Sequence, residues 1–330
     1  MNKTIFVHGS NSFSGSNFVD FLLKKNFNVI GISRSKEINS VYLKYKFNNN
    51  LSKFQFYKLD INKDLKKIIF LIRKKKPKII VNYIAQGMVA ESWINPEDWY
   101  YTNIFSQTKF YKLIKKFKFV KKIIHVTTPE VYGSNKKKIN ENMKFNPNTP
   151  YAISRAAMDI HLKKYFQNYN LPIIFTRTAN VYGPCQQLYR IVPKTMISIK
   201  KNIKLNLDGG GRSIRSFIYI EDASNATFKI MSSGKLGETY HISTNKFTSI
   251  KKLVSQIAQH NNKKLKQIIK LSKDRIGKDH SYKLSSNKIR KELNWKENVS
   301  LTKGIKLTNE WISNNFNLLK NHPIKYKHKT

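Results

Sequence analysis

The stretch Thr4-Ile5-Phe6-Val7-His8-Gly9-Ser10-Asn11-Ser12-Phe13-Ser14-Gly15 decides the fold of this chain. Its apolar start is typical of a buried strand, and Phe18, Val19, Phe21 and Leu22 follow at helical spacing. Gly9 allows a tight turn, Gly15 allows the helix to pack closely on the strand, and the helix N-terminus then faces an anion. We interpret the loop as a pyrophosphate site of a dinucleotide fold, with an ordinary Gly/Ser turn as the alternative. All residues from Gly9 to Gly15 are candidates for cofactor binding, although Ser12 replaces the middle glycine of such loops.

Short apolar runs and helical patterns alternate through the first half of the chain. Further runs typical of strands are residues 29–32, 54–57, 79–82, 123–126 and 173–176. This alternation predicts an α/β fold with a Rossmann-like, doubly wound parallel sheet and a smaller α/β substrate lobe. We expect a cofactor domain of residues 1–176 plus about 217–243, a second lobe of 177–216 and 244–316, and a frayed basic tail of 317–330.

The composition is strongly basic, with 62 Lys and Arg residues against 19 Asp and Glu, a formal net charge of +43. Such a surplus attracts nucleic acid and anionic membranes. Because the lysines are spread along the whole chain, we predict no specific nucleic-acid partner and no membrane partner; a selected polyanion contact is the alternative.

Other features of the composition point to a cytoplasmic protein. The single cysteine, Cys185, excludes an internal disulfide and a Cys-based zinc site, and we predict no metal site. The sequence has no apolar run long enough to span a membrane, and residues 1–7 do not have the pattern of a signal peptide.

The end of the second predicted strand bears on the choice of cofactor. An NAD enzyme usually places an acid there, on the ribose 2′-hydroxyl, but this chain has Ser33-Arg34-Ser35. Arg34 with two neighbouring hydroxyls suits a 2′-phosphate, which an acid would repel. The residues therefore favour NADP over NAD, with a solvated Arg34 in a loop as the alternative.

Two segments carry the candidate catalytic residues: Thr127-Thr128-Pro129-Glu130-Val131-Tyr132-Gly133, at a strand end, and Tyr151-Ala152-Ile153-Ser154-Arg155, at a helix start. A free tyrosine titrates near about 10, so its use as a base needs a cation beside it. Positions i and i+4 share one face of a helix, which places Arg155 beside Tyr151. The Thr128 hydroxyl can bind a substrate hydroxyl that is being oxidised.

With these motifs the chain resembles the nucleotide-sugar dehydratase and epimerase branch of the extended short-chain dehydrogenase/reductases. It is most similar to dTDP-glucose 4,6-dehydratases, with traits of GDP-mannose 4,6-dehydratases, to about residue 312. The motifs that carry the resemblance are the glycine loop, Leu59-Asp60-Ile61, Ala85-Gln86, the Thr128-x-Glu130-Val131-Tyr132-Gly133 strand end, Tyr151-x-x-x-Arg155, Asn180-Val181-Tyr182-Gly183-Pro184, Arg215-Ser216-Phe217-Ile218-Tyr219-Ile220-Glu221-Asp222, Gly237-Glu238-Thr239-Tyr240 and Asp274-Arg275-Ile276-Gly277-Lys278-Asp279.

The resemblance implies that the chain is a 4,6-dehydratase, which acts on a nucleotide-activated sugar and uses bound NAD(P). Tyr151 would be the base at carbon 4, with Thr128 holding the hydroxyl, and Glu130 would abstract the carbon 5 proton. The family pattern further implies cofactor contacts from Asp60, Ile61, Ile84, Ala85, Gln86, Tyr151 and Arg155. It implies substrate contacts from Met88, Thr128, Asn180, Arg190, Arg215 and Arg275, of which Asn180, Arg215 and Arg275 would bind the nucleotide diphosphate.

Three residues depart from the pattern of the family. Pro129 stands where the dTDP-glucose enzymes carry an acid for the leaving hydroxyl, Arg155 replaces the usual Lys, and Met88 replaces a common His. An epimerase or decarboxylase of the same family therefore stays open, although Glu130 favours dehydration, since simple 4-epimerisation needs no base at carbon 5. The alternative of another class is a catalytically weakened Rossmann protein that binds a polyanion.

The resemblance also implies a homodimer built on a four-helix bundle. The helices would be those of residues 99–117 and 152–167. Candidate contacts buried between the two copies are Phe105, Phe110, Ile153 and Met158, with packing inside one copy as the alternative.

Overall fold

The computed structural model describes residues 4–135, 137–274 and 281–328. The strands are β1 (Thr4–His8), β2 (Asn28–Ser33), β3 (Phe54–Lys58), β4 (Ile79–Asn82), β5 (Lys122–Thr127), β6 (Lys138–Ile139), β7 (Ile173–Thr178), β8 (Asn180–Tyr182), β9 (Leu205–Asp208), β10 (Ile214–Arg215), β11 (Phe217–Tyr219), β12 (Thr239–Ile242), β13 (Thr248–Ser249), β14 (Ile269–Ser272) and β15 (Lys283–Leu284). The α-helices are α1 (Phe13–Lys24), α2 (Leu65–Lys75), α3 (Pro96–Tyr100), α4 (Gln107–Ile114), α5 (Pro150–Tyr169), α6 (Ile191–Lys200), α7 (Ile220–Ser233), α8 (Ile250–His260), α9 (Leu265–Ile268), α10 (Asn287–Leu293), α11 (Leu301–Asn314) and α12 (Phe316–Leu319). Each apolar run predicted to be a strand is one.

A parallel sheet forms the centre of the fold, and within the described residues it has seven strands in the order β12-β7-β5-β4-β1-β2-β3. The chain builds β1, β2 and β3 outward in one direction, then crosses to β4 on the other side of β1. Parallel sheets of this order leave a crevice between β1 and β4, outside the carboxyl ends of the strands. The predicted doubly wound sheet is confirmed.

The alternation of side chains along β1 shows why both faces of this sheet are covered. Ile5 and Val7 pack in one hydrophobic cluster with Phe18 of α1 and Ala226 of α7. The intervening residue, Phe6, lies in a second cluster, which includes side chains from α2, α4 and α5. Because successive side chains point to opposite faces of a strand, an all-apolar strand requires helices on both sides.

A second hydrophobic cluster and several two-stranded sheets are built mostly from elements that follow β7. The small sheets pair β6 with β15, β8 with β11, β9 with β14 and β10 with β13. A cluster that includes Met196 of α6, Leu253 of α8 and Ile305 of α11 fills the space between these helices. The chain returns to the central sheet through α7 and β12, which pairs with β7.

The segment that begins at Asn317 differs from the expected frayed tail. It completes α12, in which Leu319 is fully buried, and then extends as residues 322–328, named here the strap. His322 and His328 form hydrogen bonds with the Tyr42 hydroxyl and the Asp98 carboxylate, respectively. These aromatic and histidine side chains provide contacts that a purely polar tail would lack.

The helices assigned to the dimer contain a π-helix, Tyr101–Ser106, between α3 and α4. Phe105 and Ile153 are exposed, but Phe110 and Met158 are fully buried in the cluster beneath the sheet. The expectation that Phe110 and Met158 lie between two copies is therefore wrong, because both point inward against the strands.

No helix in the described ranges is both long and apolar enough to cross a membrane.

Candidate active site

The glycine loop between β1 and α1 forms one end of a long cleft at the crevice beside β1. Gly9 has φ of 91°, and a Cβ atom at Gly15 would lie 2.2 Å from the Gly9 carbonyl oxygen. The Ser12 hydroxyl donates to that same carbonyl and accepts a hydrogen bond from the Gly15 N–H. Ser12 therefore caps α1 and replaces the middle glycine without blocking the turn.

The loop residues divide by position. Ser10 and Gly15 are buried behind the loop and do not line the cleft, so they shape it rather than contact a ligand. The lining members of the loop are Gly9, Asn11, Ser12, Phe13 and Ser14. The first N–H groups of an α-helix have no partner within the helix, so this end of α1 suits a pyrophosphate.

The end of β2 is tied to the glycine loop by Asn11. The Asn11 N–H donates to the Ser33 hydroxyl at 2.9 Å, and its side-chain amide donates to the Ser35 carbonyl at 3.1 Å. Arg34 lies between these two anchored residues and lines the cleft. Arg34 thus follows the carboxyl end of β2, where proteins of this fold bind the ribose of the cofactor.

The strand ends of β3 and β4 contribute the next part of the cleft wall. Asp60 and Ile61 follow β3, and Ile84, Ala85 and Gln86 follow β4; all line the cleft. The Asp60 carboxylate accepts from the Asn62 N–H at 2.9 Å. These residues and the glycine loop fit a dinucleotide, because they line one cleft along the carboxyl ends of β1, β3 and β4.

Thr128, Glu130 and Tyr151 come together in this same cleft. Thr128 follows β5 and caps the turn Pro129–Tyr132, with its hydroxyl accepting from the Glu130 N–H at 3.3 Å. Tyr151 lies in the first turn of α5, close enough to Thr128 for that hydroxyl to lower the phenol's pKa. The three predicted groups therefore form one cluster with access to a ligand.

The electrostatics of Tyr151 differ from the sequence-based expectation. Burial, followed by the negative charge of Glu130, raises the pKa of the phenol above its usual value. The Arg155 guanidinium and the nearby Thr128 hydroxyl lower the pKa, but they do not outweigh burial. Arg155 alone thus does not make Tyr151 a base near neutrality in the ligand-free protein.

Arg155 lies beside Tyr151 as predicted, but its guanidinium is committed to the backbone. The side chain is buried, and its Nη1 donates to the Ile84 carbonyl at 3.3 Å, while Nη2 donates to the Val126 carbonyl. These carbonyls lie at the ends of β4 and β5. The longer fork of arginine therefore joins two strand ends, in addition to placing a positive charge in the site.

The other wall of the cleft includes the predicted substrate residues Asn180, Arg190 and Arg215. Tyr282 connects two of them: its hydroxyl donates to Asn180 at 2.7 Å, and its ring lies 4.1 Å from the Arg215 guanidinium. Met88 also lines the cleft, with a left-handed φ of 71° that is uncommon for this residue type. Arg275 lies outside the described residues.

Sequence reasoning missed the residues that hold Tyr151 and Gln86 in place. Asn103, buried in the π-helix, accepts from the Gln86 N–H at 2.8 Å and donates to the Ser154 hydroxyl at 2.9 Å. Ser154 in turn donates to the Tyr151 carbonyl at 2.7 Å. π-Helical turns are frequent at functional sites, but their one-residue widening leaves no signal in the sequence.

The fold and the site define an enzyme of the nicotinamide-dependent dehydratase and epimerase class, built on a Rossmann sheet. The chain is 29% identical to a human dTDP-D-glucose 4,6-dehydratase, over 97% of this chain and 92% of that one. Its structure matches a dTDP-glucose 4,6-dehydratase from Streptomyces venezuelae, solved with NAD bound, at a TM-score of 0.88 and 25% identity, over 96% and 98% of the two chains. A UDP-glucose 4-epimerase from Thermotoga maritima matches at 0.84 and 26% identity, over 95% and 99%.

A model of the GDP-mannose 4,6 dehydratase family matches residues 6–308. The chain belongs to this family, and the interpretation of the sequence as a nucleotide-sugar 4,6-dehydratase of the extended short-chain dehydrogenase/reductases is confirmed.

Proposed function

We propose that this chain removes water from the hexose of a nucleoside-diphosphate sugar through Thr128, Glu130 and Tyr151. The observation that carries the proposal is that these side chains share one cleft with the glycine loop. A bound nicotinamide cofactor would accept hydride from carbon 4 of the sugar and return it at carbon 6. The remaining steps are proton transfers and positioning, which belong to the protein.

Tyr151 acts on the proton of the carbon 4 hydroxyl, and Thr128 holds the same oxygen. The raised pKa of Tyr151 means that the phenol is protonated without ligands and becomes a base only when further positive charge enters the cleft. Arg155 and Thr128 support that change, since both lower the phenol's pKa.

Glu130 acts as the base at carbon 5, whose proton becomes acidic once carbon 4 is a ketone. Pro129, the neighbour in sequence, has no proton to donate to the leaving hydroxyl. Glu130 therefore also returns the proton it has just received to that hydroxyl, so that water leaves from carbon 6.

The substrate is tested with a panel of dTDP-, UDP-, GDP- and CDP-hexoses, followed by mass spectrometry of the products. We expect one nucleotide class to yield a product lighter by one water molecule. An unchanged mass with an inverted carbon 4 would favour the epimerase alternative, whose chemistry is compatible with Pro129.

The cofactor preference rests on Arg34, and we expect NADP(H) to bind more tightly than NAD(H). A charge-assisted hydrogen bond contributes about 1.5–3 kcal/mol, so an Arg34→Asp variant should lose roughly 10- to 100-fold in NADP(H) affinity. Calorimetric titration of both cofactors measures this. Arg73→Asp, on an exposed position of α2, is the matched control and should keep the wild-type preference. Tighter NAD(H) binding by the wild type would show that Arg34 is only a solvated side chain.

The chain is further proposed to be a homodimer through the helices that flank the π-helix. Phe105 and Tyr101 are each 47% exposed, and Ile153 and Ile160 are exposed on α5, which packs against the π-helix. Ile153→Glu should convert a dimer to a monomer at micromolar concentration in light scattering, because burying the carboxylate is unfavourable. Phe70→Glu, exposed on α2, should leave the dimer intact. A monomeric wild type would contradict the proposal.

The site residues imply that the two lobes bind different ligands. Residues 1–176 with about 217–243 would hold the cofactor, and residues 177–216 with 244–316 would hold the nucleotide-sugar. Support comes from Asn180, Arg190 and Arg215, which belong to the second lobe and line the same cleft as the glycine loop.

A further inference from the structure

The strap contributes Pro323, Lys325, Tyr326 and Lys327 to the lining of the cleft. Its burial alternates: His322, Ile324, Tyr326 and His328 are half-buried, whereas the residues between them are exposed. One side of the strap therefore holds it to the protein, and the other side remains available to a ligand.

The far end of the strap is held on the cofactor side of the cleft. The His328 ring stacks on Trp99, with centroids 5.0 Å apart and planes 10° apart. Its Nε2 lies 2.7 Å from the Asp98 carboxylate, and its Nδ1 lies 3.1 Å from the Gln86 side-chain amide. Gln86 is itself a residue of the cleft wall, so this end of the strap is anchored to the site.

The middle and the near end of the strap are also anchored. The Tyr326 ring packs edge-on against Tyr189, with centroids 5.3 Å apart, and His322 forms a 2.9 Å hydrogen bond with the Tyr42 hydroxyl. Burial raises the pKa of Tyr326, while the charges of Arg34 and Arg190 lower it. Tyr326 thus lies within electrostatic range of both arginines assigned to ligands.

Two lysines of the strap face the space that these anchors enclose. Lys325 and Lys327 line the cleft together with Pro323 and Tyr326. Among the residues that the structure describes, no carboxylate forms an ion pair with either lysine. Arg34 and Arg190 line the same cleft, so the surplus of positive charge there attracts an anion.

We propose that the strap is part of the ligand site and that Lys325 and Lys327 bind a pyrophosphate group held in the cleft. The inference rests on the proposed function, which supplies two such groups: one in the nicotinamide cofactor and one in the nucleotide-sugar. A lysine binds phosphate as a mobile point charge, which suits residues on a segment without regular secondary structure better than a rigid arginine fork. The strap then covers the ligand and shields the site from water.

The test is a Lys325→Ala/Lys327→Ala double variant, titrated calorimetrically with NADH, NADPH, dTDP, UDP and GDP. Each exposed charge pair contributes modestly, so we expect about 3- to 30-fold weaker binding of the ligand whose pyrophosphate lies under the strap. Loss with the dinucleotides alone would assign the lysines to the cofactor. Loss with a nucleoside diphosphate alone would assign them to the nucleotide-sugar.

A matched control removes the same charge elsewhere. Lys303 and Lys306 are exposed on α11 and do not line the cleft, so Lys303→Ala/Lys306→Ala should change affinities by no more than about twofold. A second readout uses the wild type: the ligand that the strap covers should slow tryptic cleavage after Lys325 and Lys327.

The outcomes separate the strap from the proposed function. If the wild type and Lys325→Ala/Lys327→Ala bind every ligand with the same affinity, the two lysines do not bind a pyrophosphate. The dehydratase proposal is unaffected by that result. Tryptic cleavage that no ligand slows also overturns the covering role. Wild-type protein that binds neither a nicotinamide cofactor nor a nucleoside diphosphate overturns both.

Discussion

A Glu130→Gln variant is expected to bind cofactor and to oxidise carbon 4 of the sugar, yet to lose elimination of water by about 10²–10⁴-fold, the usual contribution of a general base. Gln keeps nearly the shape of Glu but cannot accept a proton. Glu130 lies close enough to Tyr151 for its charge to raise the phenol's pKa, and both residues line the cleft. The same substitution should therefore lower the pKa of Tyr151, which favours the oxidation step.

The measurement is the mass of the product together with incorporation of solvent deuterium at carbon 5. Glu130→Gln should yield neither the dehydrated product nor deuterium at that carbon. Glu221→Gln, an exposed acid in the first turn of α7, is the control and should retain wild-type turnover. Wild-type turnover by Glu130→Gln would remove it as the base and would leave dehydration without a proton acceptor in this segment.

The sheet could be predicted from the sequence because each strand is marked by the few residues that form it. Each strand is a short apolar run, and apolar residues at both odd and even positions, as in Ile5, Phe6 and Val7, require cover on two faces. The proximity of Tyr151 and Arg155 could also be predicted, because residues four positions apart lie on one face of a helix. Local patterns of this kind predicted the fold and the main cluster.

The rest of the site could not be predicted, because it depends on contacts between distant parts of the chain. Tyr282 meets Asn180 across 102 positions, and His328 meets Asp98 across 230. For the strap, the composition predicted a frayed tail, because a Lys-rich polar segment near a chain end is typical of one. The structure instead has it anchored to the protein. Similarly, apolarity alone did not show that Phe110 and Met158 face the sheet rather than a second copy.

A buried ion pair next to the catalytic cluster contributes to the stability of the fold and also holds a residue beside the site. Arg177 and Asp159 are both fully buried, with Nη2 2.8 Å from the carboxylate, and Asp159 also accepts from the Thr127 hydroxyl at 3.1 Å. Thr127 is the residue before Thr128, so the ion pair fixes the strand end that positions the catalytic hydroxyl. The guanidinium also packs against the rings of Tyr132 and Phe145.

An Arg177→Met variant should lose about 3–5 kcal/mol of the free energy of unfolding, because it leaves the Asp159 carboxylate buried without its partner. Urea denaturation followed by circular dichroism measures the loss. Lys24→Met is the matched control: it breaks the Lys24–Asp20 pair, whose lysine is 58% exposed, and should change stability by less than about 1 kcal/mol. The double variant Arg177→Met/Asp159→Asn should recover part of the loss, since no uncompensated charge then remains. An unchanged urea midpoint in the single variant would mean that Asp159 is neutral or solvated in the folded protein, and that Thr127 is held by other contacts.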